Sequence, residues 1–486
     1  MGYIQPMRWP ESLEGLSIHL AGAKGTGMSA LAELLVFSGA RVVGSDIDEE
    51  FYTDAILAEI GVVVRPFRAE SLDADTTMLV RSAAYDATNP VVSEATRRNL
   101  PILSYPEVLG ILSQRYDSSA IAGVHGKTTT TAIAGTLLKA LKLPATVLVG
   151  SAVSSFNNRS TWNGGERFFV AETCEYRRHF LHFHPQRIVL TSIESDHQDY
   201  YPDLDSIMNS FRDFLLTLPP GGEVIYCADD SGAVRAVELV SRERSDIVLT
   251  PYGRKADGPW KVVFGSPSAG KNRFRLRAID ADFHLTLPGR HLVLDAVAAL
   301  ALTASLIEEM KNDSKESGND MDAELAVATL AGFRGSRRRS EIIGNAKGVL
   351  VMDDYAHHPT SISAMLQGIR EFHPDRRLVV DFMPHTYSRT ASLFQEFTHC
   401  FVDAEALLLH PIYASAREIN HNNISGRRLF EHIRKRRLSK LTLYCETLDD
   451  AAATLMNILR PGDLFLTLGA GNNRSLGIRM LRELTA

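Results

Sequence analysis

The stretch "IAGVHGKTTTT", residues 121–131, joins an apolar strand-like run to a helical run through a glycine turn. Residues 123–128 read G-x-x-G-K-T, which is one glycine short of the strict phosphate-loop pattern. A turn of this kind directs backbone N–H groups and the positive end of a helix at an anion. We therefore predict a nucleoside triphosphate site, in which Lys127 reaches the phosphates and Thr128 or Thr129 helps to hold Mg²⁺.

The composition is that of an ordinary globular chain, with 45% apolar and 23% charged residues among 486. A formal net charge of −6 gives no reason to expect nucleic acid as a partner. Two basic clusters, at 335–340 and 434–437, have no assigned role, and the second is interpreted as a solvated face. The four cysteines lack C-x-x-C spacing, which argues against a zinc ribbon or a disulfide scaffold. With no signal-like N-terminus and no unbroken apolar stretch of 18 residues, we expect a cytoplasmic protein without membrane insertion.

Strand–helix alternation begins three times along the chain, near residues 16, 118 and 348. Alternation of this kind predicts parallel, doubly wound sheets. The predicted fold class is α/β with three domains: a Rossmann-like N-terminal domain (1–115), a central P-loop ATP-binding domain (116–332) and a Rossmann-like C-terminal domain (333–486). Residues 292–310 predict a buried helix, and the polar segment 311–322 predicts an exposed loop or a disordered insertion.

Acidic side chains follow two strands of the predicted central domain. Glu172 and Glu175 end one strand, and Glu194, Asp196 and His197 follow the next. Carboxylate oxygens at neighbouring strand ends suit a Mg²⁺–triphosphate site.

A second glycine turn, "GAKGTG" (22–27), follows the first strand, and Asp46 ends the second strand. An acid at this place binds a ribose in dinucleotide folds, although the spacing here is G-x-x-G-x-G. We predict a diphosphate-containing ligand at this turn.

Two further strand ends carry histidines, in "MDDYAHHPTS" (352–361) and "MPHTYSRT" (383–390). The first could contribute to a metal site. In the second, an arginine beside a histidine and two hydroxyls suits recognition of a carboxylate.

Together these motifs resemble the Mur ligases over nearly the whole chain. "HGKTTTT", "ESDHQDYY", "DDYAHHPTS", "PHTYSRT" and "TLGAGN" carry the resemblance, and "AETCEYRRHFL" is similar to the Gram-positive form of the branch that adds alanine. The resemblance implies that ATP converts the lactyl carboxylate of UDP-N-acetylmuramate into an acyl phosphate, which L-alanine then attacks. It also implies domain closure, and we expect a monomer or a weak dimer.

The resemblance also assigns roles to residues. The implied catalytic residues are Lys127, Glu172, His197 and Arg389. The implied ATP contacts are Gly123, His125, Gly126, Lys127, Thr128, Thr129, Asp295, Arg339 and Asp354. The implied contacts to the nucleotide-sugar and the amino acid are Gly22, Gly25, Thr26, Gly27, Asp46, Ser82, His357, His385 and Arg389. The implied Mg²⁺ ligands are Thr128, Glu172 and His197.

Three alternatives remain at this point: a ligase of cell-wall recycling that adds a whole peptide, a nicotinamide-dependent dehydrogenase, and a non-catalytic homologue that binds the nucleotide-sugar. The chain carries Leu292 and Asp295 where the family usually has asparagines near the adenine, which keeps the third alternative open.

Overall fold

A computed structural model describes residues 10, 12–266, 270–314, 320–414, 420, 423–436 and 438–485. Of the polar segment predicted at 311–322, residues 311–314 end a long helix, and residues 315–319 lie outside the described part of the chain.

The first sheet has five parallel strands in the order β3-β2-β1-β4-β5. This order places a crossover on each side of β1, so the carboxyl end of β1 is a switch point where ligands bind in such sheets. The strands are β1 Ser17–Ala21, β2 Arg41–Asp46, β3 Val63–Pro66, β4 Met78–Arg81 and β5 Ile102–Ser104. The helices are α1 Thr26–Phe37, α2 Thr53–Glu59, α3 Pro90–Arg97 and α4 Tyr105–Ser113.

The central sheet has seven strands in the order β12-β11-β10-β6-β9-β7-β8. Its strands are β6 Asp117–Ala122, β7 Ala145–Val153, β8 Arg159–Asn163, β9 Phe168–Glu172, β10 Arg187–Leu190, β11 Glu223–Cys227 and β12 Val248–Tyr252. A separate antiparallel sheet contains β13 Val262–Phe264, β14 Asn272–Leu276 and β15 Ala281–Leu285. The helices are α5 Lys127–Ala140, α6 Leu204–Leu215, α7 Ser231–Ser241, α8 Arg290–Ser314 and α9 Ala323–Gly332.

The third sheet has six strands in the order β16-β17-β21-β18-β19-β20. Its strands are β16 Glu341–Ala346, β17 Val349–Asp354, β18 Arg377–Phe382, β19 Ala406–Leu409, β20 Leu441–Tyr444 and β21 Asp463–Leu468. The helices are α10 Pro359–Phe372, α11 Tyr387–Ser392, α12 Phe394–Phe397, α13 Gly426–Arg436, α14 Leu448–Ile458 and α15 Arg474–Thr485.

The predicted α/β class with three sheet-based units is confirmed, but the sheets are not wholly parallel. β8 pairs with β7, and β16 with β17, in antiparallel register. The connections run from 153 to 159 and from 346 to 349. Parallel neighbours need a crossover of a dozen or more residues, so segments this short can only form hairpins.

Helix α8 confirms the prediction of a buried apolar helix. Residues 290–313 are long and apolar enough to cross a membrane, but 67% of the most apolar window is buried inside the protein. Val293, Ala296, Val297 and Leu300 are fully buried, and α8 packs against α5. Its apolar character is therefore explained by its place in the core of the central unit.

Candidate active site

The phosphate loop lies at the carboxyl end of β6, and α5 begins at Lys127. Gly123 and Gly126 have backbone φ angles of 136° and 82°, values that residues other than glycine rarely adopt. A Cβ on Gly126 would lie 2.4 Å from Oδ1 of Asp295. The loop therefore needs glycine at both places to leave its backbone N–H groups open to an anion.

Lys127 is paired with a buried carboxylate. Its Nζ lies 2.7 Å from Oε2 of Glu175, and Oε1 of the same residue lies 3.1 Å from Nε2 of His197. Burial lowers the pKa of Lys127, but the Glu175 carboxylate outweighs it and holds the pKa above its usual range. His197 has a φ of 54°, a conformation that surrounding contacts must enforce. Glu175 thus orients the cationic head of Lys127 and the ring of His197.

Glu172 and Thr128 form a place that suits a divalent cation. The Oε2 atom of Glu172 is buried and, within the described residues, has no hydrogen-bond partner. Burial raises the pKa of Glu172, and the neighbouring Thr128 hydroxyl only partly offsets this effect. A buried carboxylate oxygen beside a hydroxyl is a fitting donor set for Mg²⁺. The third predicted ligand, His197, faces Glu175 instead.

A cavity of about 130 Å³ lies between the phosphate loop and the segment around 339–361. Arg339, Asp354 and His357 line it from the C-terminal unit, and Leu292 and Asp295 from α8. Burial raises the pKa of Asp295 to about 8. The structure thus brings the residues predicted to bind ATP together from two parts of the chain.

Arg389 forms a buried ion pair across the two units. Its Nε and Nη2 atoms lie 3.0 and 2.8 Å from Oδ1 of Asp196. Burial alone would raise the pKa of Asp196, but Arg389 holds it well below its usual range. The Nη1 atom of Arg389 lies 3.4 Å from Nδ1 of His385. Arg389 therefore presents one edge to Asp196 and another toward His385, whose ring centroid is 5.9 Å from that of His357.

A second contact between these units centres on Glu194. Its carboxylate contacts Nε2 of His125 in the phosphate loop, accepts a hydrogen bond of 2.8 Å from the hydroxyl of Thr360, and lies 3.6 Å from Nδ1 of His358. The donor atoms of His125, Glu194 and His358 lie within 4.8 Å of one another, close enough to hold a metal ion. Since hydrogen bonds already engage all three side chains, we interpret this group as an interdomain latch, and we use that name for it below.

The residues predicted to bind the nucleotide-sugar meet at the switch point of the first sheet. Gly22 follows β1 with a φ of 87°, and Thr26 begins α1. The carboxylate of Asp46 accepts hydrogen bonds from the backbone N–H of Lys24 at 2.7 Å and from the hydroxyl of Tyr85 at 3.2 Å. Asp46 therefore shapes the glycine turn at which we predict the nucleotide-sugar.

Gly25, Gly27 and Ser82 belong to the same end of the sheet. Gly25 is the N-cap of α1, and a Cβ on Gly22 would lie 3.0 Å from Cβ of Ser82. A Cβ on Gly27 would lie 3.0 Å from the ring of Tyr105. Tyr85 and Tyr105 were not among the predicted residues, because isolated tyrosines in loops and at helix starts carry no local signal.

Sequence and structure comparisons identify the class of protein that this fold and site define. Three family models match the chain: the Mur ligase family catalytic domain at 17–117, the Mur ligase middle domain at 121–303, and the Mur ligase glutamate ligase domain at 338–471. The chain therefore belongs to the Mur ligase family.

Its relatives include UDP-N-acetylmuramate–L-alanine ligases. That of Treponema pallidum is 48% identical over 96% of this chain and 96% of its own length. That of Desulfitobacterium hafniense is 37% identical over 95% and 98%. Among solved structures, the UDP-N-acetylmuramate–alanine ligase of Thermotoga maritima has a TM-score of 0.75 at 24% identity, covering 96% of this chain and 99% of that one. At that identity, the structural match supports the fold alone.

Proposed function

We propose that this chain is an ATP-dependent ligase that joins L-alanine to the lactyl carboxylate of UDP-N-acetylmuramate in peptidoglycan precursor synthesis. The observation that carries the proposal is the meeting of a phosphate loop with the C-terminal segments bearing Arg339, Asp354 and His357 around one cavity. The alanine ligases that match over 96% and 95% of the chain support the same activity.

The chemistry follows from the charges at the site. A carboxylate is a poor acyl donor, so the γ-phosphoryl group of ATP is transferred to it, giving an acyl phosphate and ADP. The amine of L-alanine then attacks the acyl carbon, and phosphate leaves. The chain supplies position and charge neutralisation: Lys127 beside the loop offsets the negative charge on the transferred phosphoryl group.

Mg²⁺ is the divalent cation that we propose for this reaction. Thr128 and Glu172 would hold it, because the unpartnered Glu172 oxygen requires a cationic or hydrogen-bonding partner. When bound, the ion would neutralise phosphate charge. His197, through its contact with Glu175, keeps that carboxylate on Lys127, so we assign it a positioning role in this state of the site.

Arg389 and His385 are the side chains that we propose for the amino-acid carboxylate. Arg389 is 6% exposed and already holds Asp196, so we place the second carboxylate beside its Nη1 atom, where it would replace the contact of 3.4 Å with His385. We also retain 1–115, 116–332 and 333–486 as the proposed domains, and a monomer or a weak dimer as the proposed assembly.

Phosphate release from ATP tests this function. The full chain is assayed with UDP-N-acetylmuramate, with and without L-alanine, and in parallel with D-glutamate or a tripeptide. We expect release that requires both the sugar and L-alanine. Release with the tripeptide alone would instead support a recycling ligase, and no release in any arm would contradict a catalytic role.

A further inference from the structure

A second, larger cavity lies at the junction of the three units and shares no lining residue with the cavity beside the phosphate loop. Its volume is about 880 Å³. Tyr52, directly before α2, and Glu59, the last residue of α2, line it from the first unit. Residues 157–159 line it where the chain enters β8, and residues 334–337 line it from the segment that enters the C-terminal unit. A mononucleotide fits within a pocket of this size.

In the basic cluster at 335–340 the sequence assigned a role to Arg339 alone, and the structure places the three arginines of the cluster in different surroundings. Arg338 donates to the carbonyl oxygens of Gly469 and Gly471 at 2.7 and 2.8 Å, which fixes it to the C-terminal unit. Arg339 lines the nucleotide cavity. Arg337 alone lines the junction cavity, where its guanidinium lies 4.3 Å from the ring centroid of Tyr52.

Arg337 is a half-buried cation without an anionic partner. No side chain or carbonyl among the described residues accepts a hydrogen bond from its guanidinium. The nearby Glu341 carboxylate is held by Arg474, with contacts of 2.9 and 2.6 Å. Burial lowers the pKa of Arg337, and the charge of Arg474 lowers it further. An anion beside Arg337 would raise this pKa and so oppose the effects of burial and of Arg474.

Other residues that line the cavity also offer hydrogen-bond donors without a partner among the described residues. Ser336 is 5% exposed, and its hydroxyl has no hydrogen-bond partner within the described chain. The Glu59 carboxylate is already paired with Arg159 at 2.7 Å. The guanidinium of Arg334 also lines the cavity, with one contact to the hydroxyl of Thr286. The carboxylates are therefore neutralised, whereas Arg337 and Ser336 retain donors without a partner among the described residues.

We propose that this junction cavity binds a phosphate-bearing small molecule, with Arg337 and Ser336 as its principal donors. Guanidinium groups and hydroxyls form short, charge-assisted hydrogen bonds to phosphate oxygens. A nucleoside diphosphate and free phosphate both present this chemistry. The site goes beyond the proposed ligase reaction, since none of its donors belongs to the residues assigned to ATP, the sugar or the amino acid.

One contact links the junction cavity to the nucleotide-sugar turn. The Tyr52 hydroxyl donates to Oγ1 of Thr26 at 3.0 Å, while the Tyr52 ring stacks on Arg337. A ligand that draws Arg337 away from Tyr52 therefore acts on the first residue of α1. If the proposed function holds, occupancy of the cavity changes the KM for UDP-N-acetylmuramate more than kcat.

The test is a calorimetric titration of the full chain with UDP and, separately, with inorganic phosphate. The wild type, Arg337→Ala and Arg337→Lys are compared, with Arg254→Ala as the control because Arg254 is exposed and does not line the cavity. We expect the wild type and the control to bind one more equivalent of a probe than Arg337→Ala. We expect Arg337→Lys to keep this additional binding event, but with an affinity at least about tenfold lower, because lysine forms one charge-assisted hydrogen bond fewer.

The two probes identify the source of the phosphate group. An extra equivalent of UDP indicates a nucleoside diphosphate, and an extra equivalent of phosphate alone indicates the free anion. Equal stoichiometry and affinity in the wild type and Arg337→Ala, for both probes, would overturn the proposal. The remaining binding events of Arg337→Ala report that it is folded, and the titration needs no ligase activity, so its failure is distinct from failure of the proposed function.

Discussion

At the scale of single residues, the unpartnered oxygen of Glu172 is the feature that most directly indicates a cation. Glu172→Gln keeps the shape of the side chain but removes its negative charge. We expect kcat to fall at least about 100-fold, as when a group that stabilises transition-state charge is lost. We also expect half-maximal rate at a higher Mg²⁺ concentration. Phosphate release measured across a Mg²⁺ series checks both effects.

The matched control is Glu166→Gln, since Glu166 is exposed and precedes the same strand. It should leave the Mg²⁺ dependence unchanged. An unchanged Mg²⁺ profile in Glu172→Gln as well would show that Glu172 does not bind the ion.

Asp295 gives the site a pH-dependent stability. Its folded-state pKa is raised from 3.8 to about 8 by burial, so between these values the folded chain holds a proton that the unfolded chain has lost. The free energy of unfolding therefore falls as pH rises through this window. Asp295→Asn removes this loss, and we expect its melting temperature to exceed that of the wild type by an increasing margin from pH 5 to about 8.

Thermal melts at several pH values measure this margin, with Asp48→Asn at an exposed position as the control. A constant difference between Asp295→Asn and the wild type across the range would mean that Asp295 is ionised in the folded protein.

At the scale of elements, the start of α5 shows how a helix terminus is kept open to phosphate. In Gly126→Ala, the new side chain stands on a backbone whose φ is 82°, and its Cβ would lie 2.4 Å from Oδ1 of Asp295. Gly61→Ala has a similar φ of 76° but meets no atom within 4 Å. We expect Gly61→Ala to cost about 1–2 kcal/mol of stability through backbone strain. We expect Gly126→Ala to cost about 2–4 kcal/mol because overpacking is added, and to abolish turnover.

Urea unfolding and phosphate release measure the pair. Equal losses of stability would show that the close approach of Asp295 contributes nothing at Gly126.

Elements were predictable where one signal dominates. The strands β1, β6 and β17, the helix α8 and the glycine turns at 22 and 123 all follow from apolar runs bounded by glycine or acidic residues. The hairpins and the small antiparallel sheet were missed, because pairing direction depends on connection length rather than on apolar pattern. The contact of Glu175 with Lys127 joins residues 48 positions apart, so no local pattern could specify it.

At the scale of the whole molecule, the interdomain latch connects the phosphate loop to α10. Glu194→Gln weakens the contacts to His125 and Thr360 without removing the side chain. Loss of a hydrogen bond to a charged group costs about 1.5 kcal/mol or more. We therefore expect kcat to fall about tenfold or more, since closure positions the reacting groups.

Steady-state kinetics and small-angle scattering with ADP bound check this prediction, and Glu238→Gln serves as an exposed control. The variant should be more expanded than the wild type. A wild-type radius of gyration together with wild-type kcat would refute a closing role for Glu194.

The first turns of helix α8 line the nucleotide cavity through Leu292 and Asp295, and Glu309 in the C-terminal part of the helix pairs with Arg187 at 2.9 Å. Its central turns are fully buried. Amides in such a helix exchange with solvent only when the central unit opens as a whole. We therefore expect the amides in the central turns of α8 to exchange slowly, so that the cavity wall formed by Leu292 and Asp295 stays in place when the C-terminal unit moves.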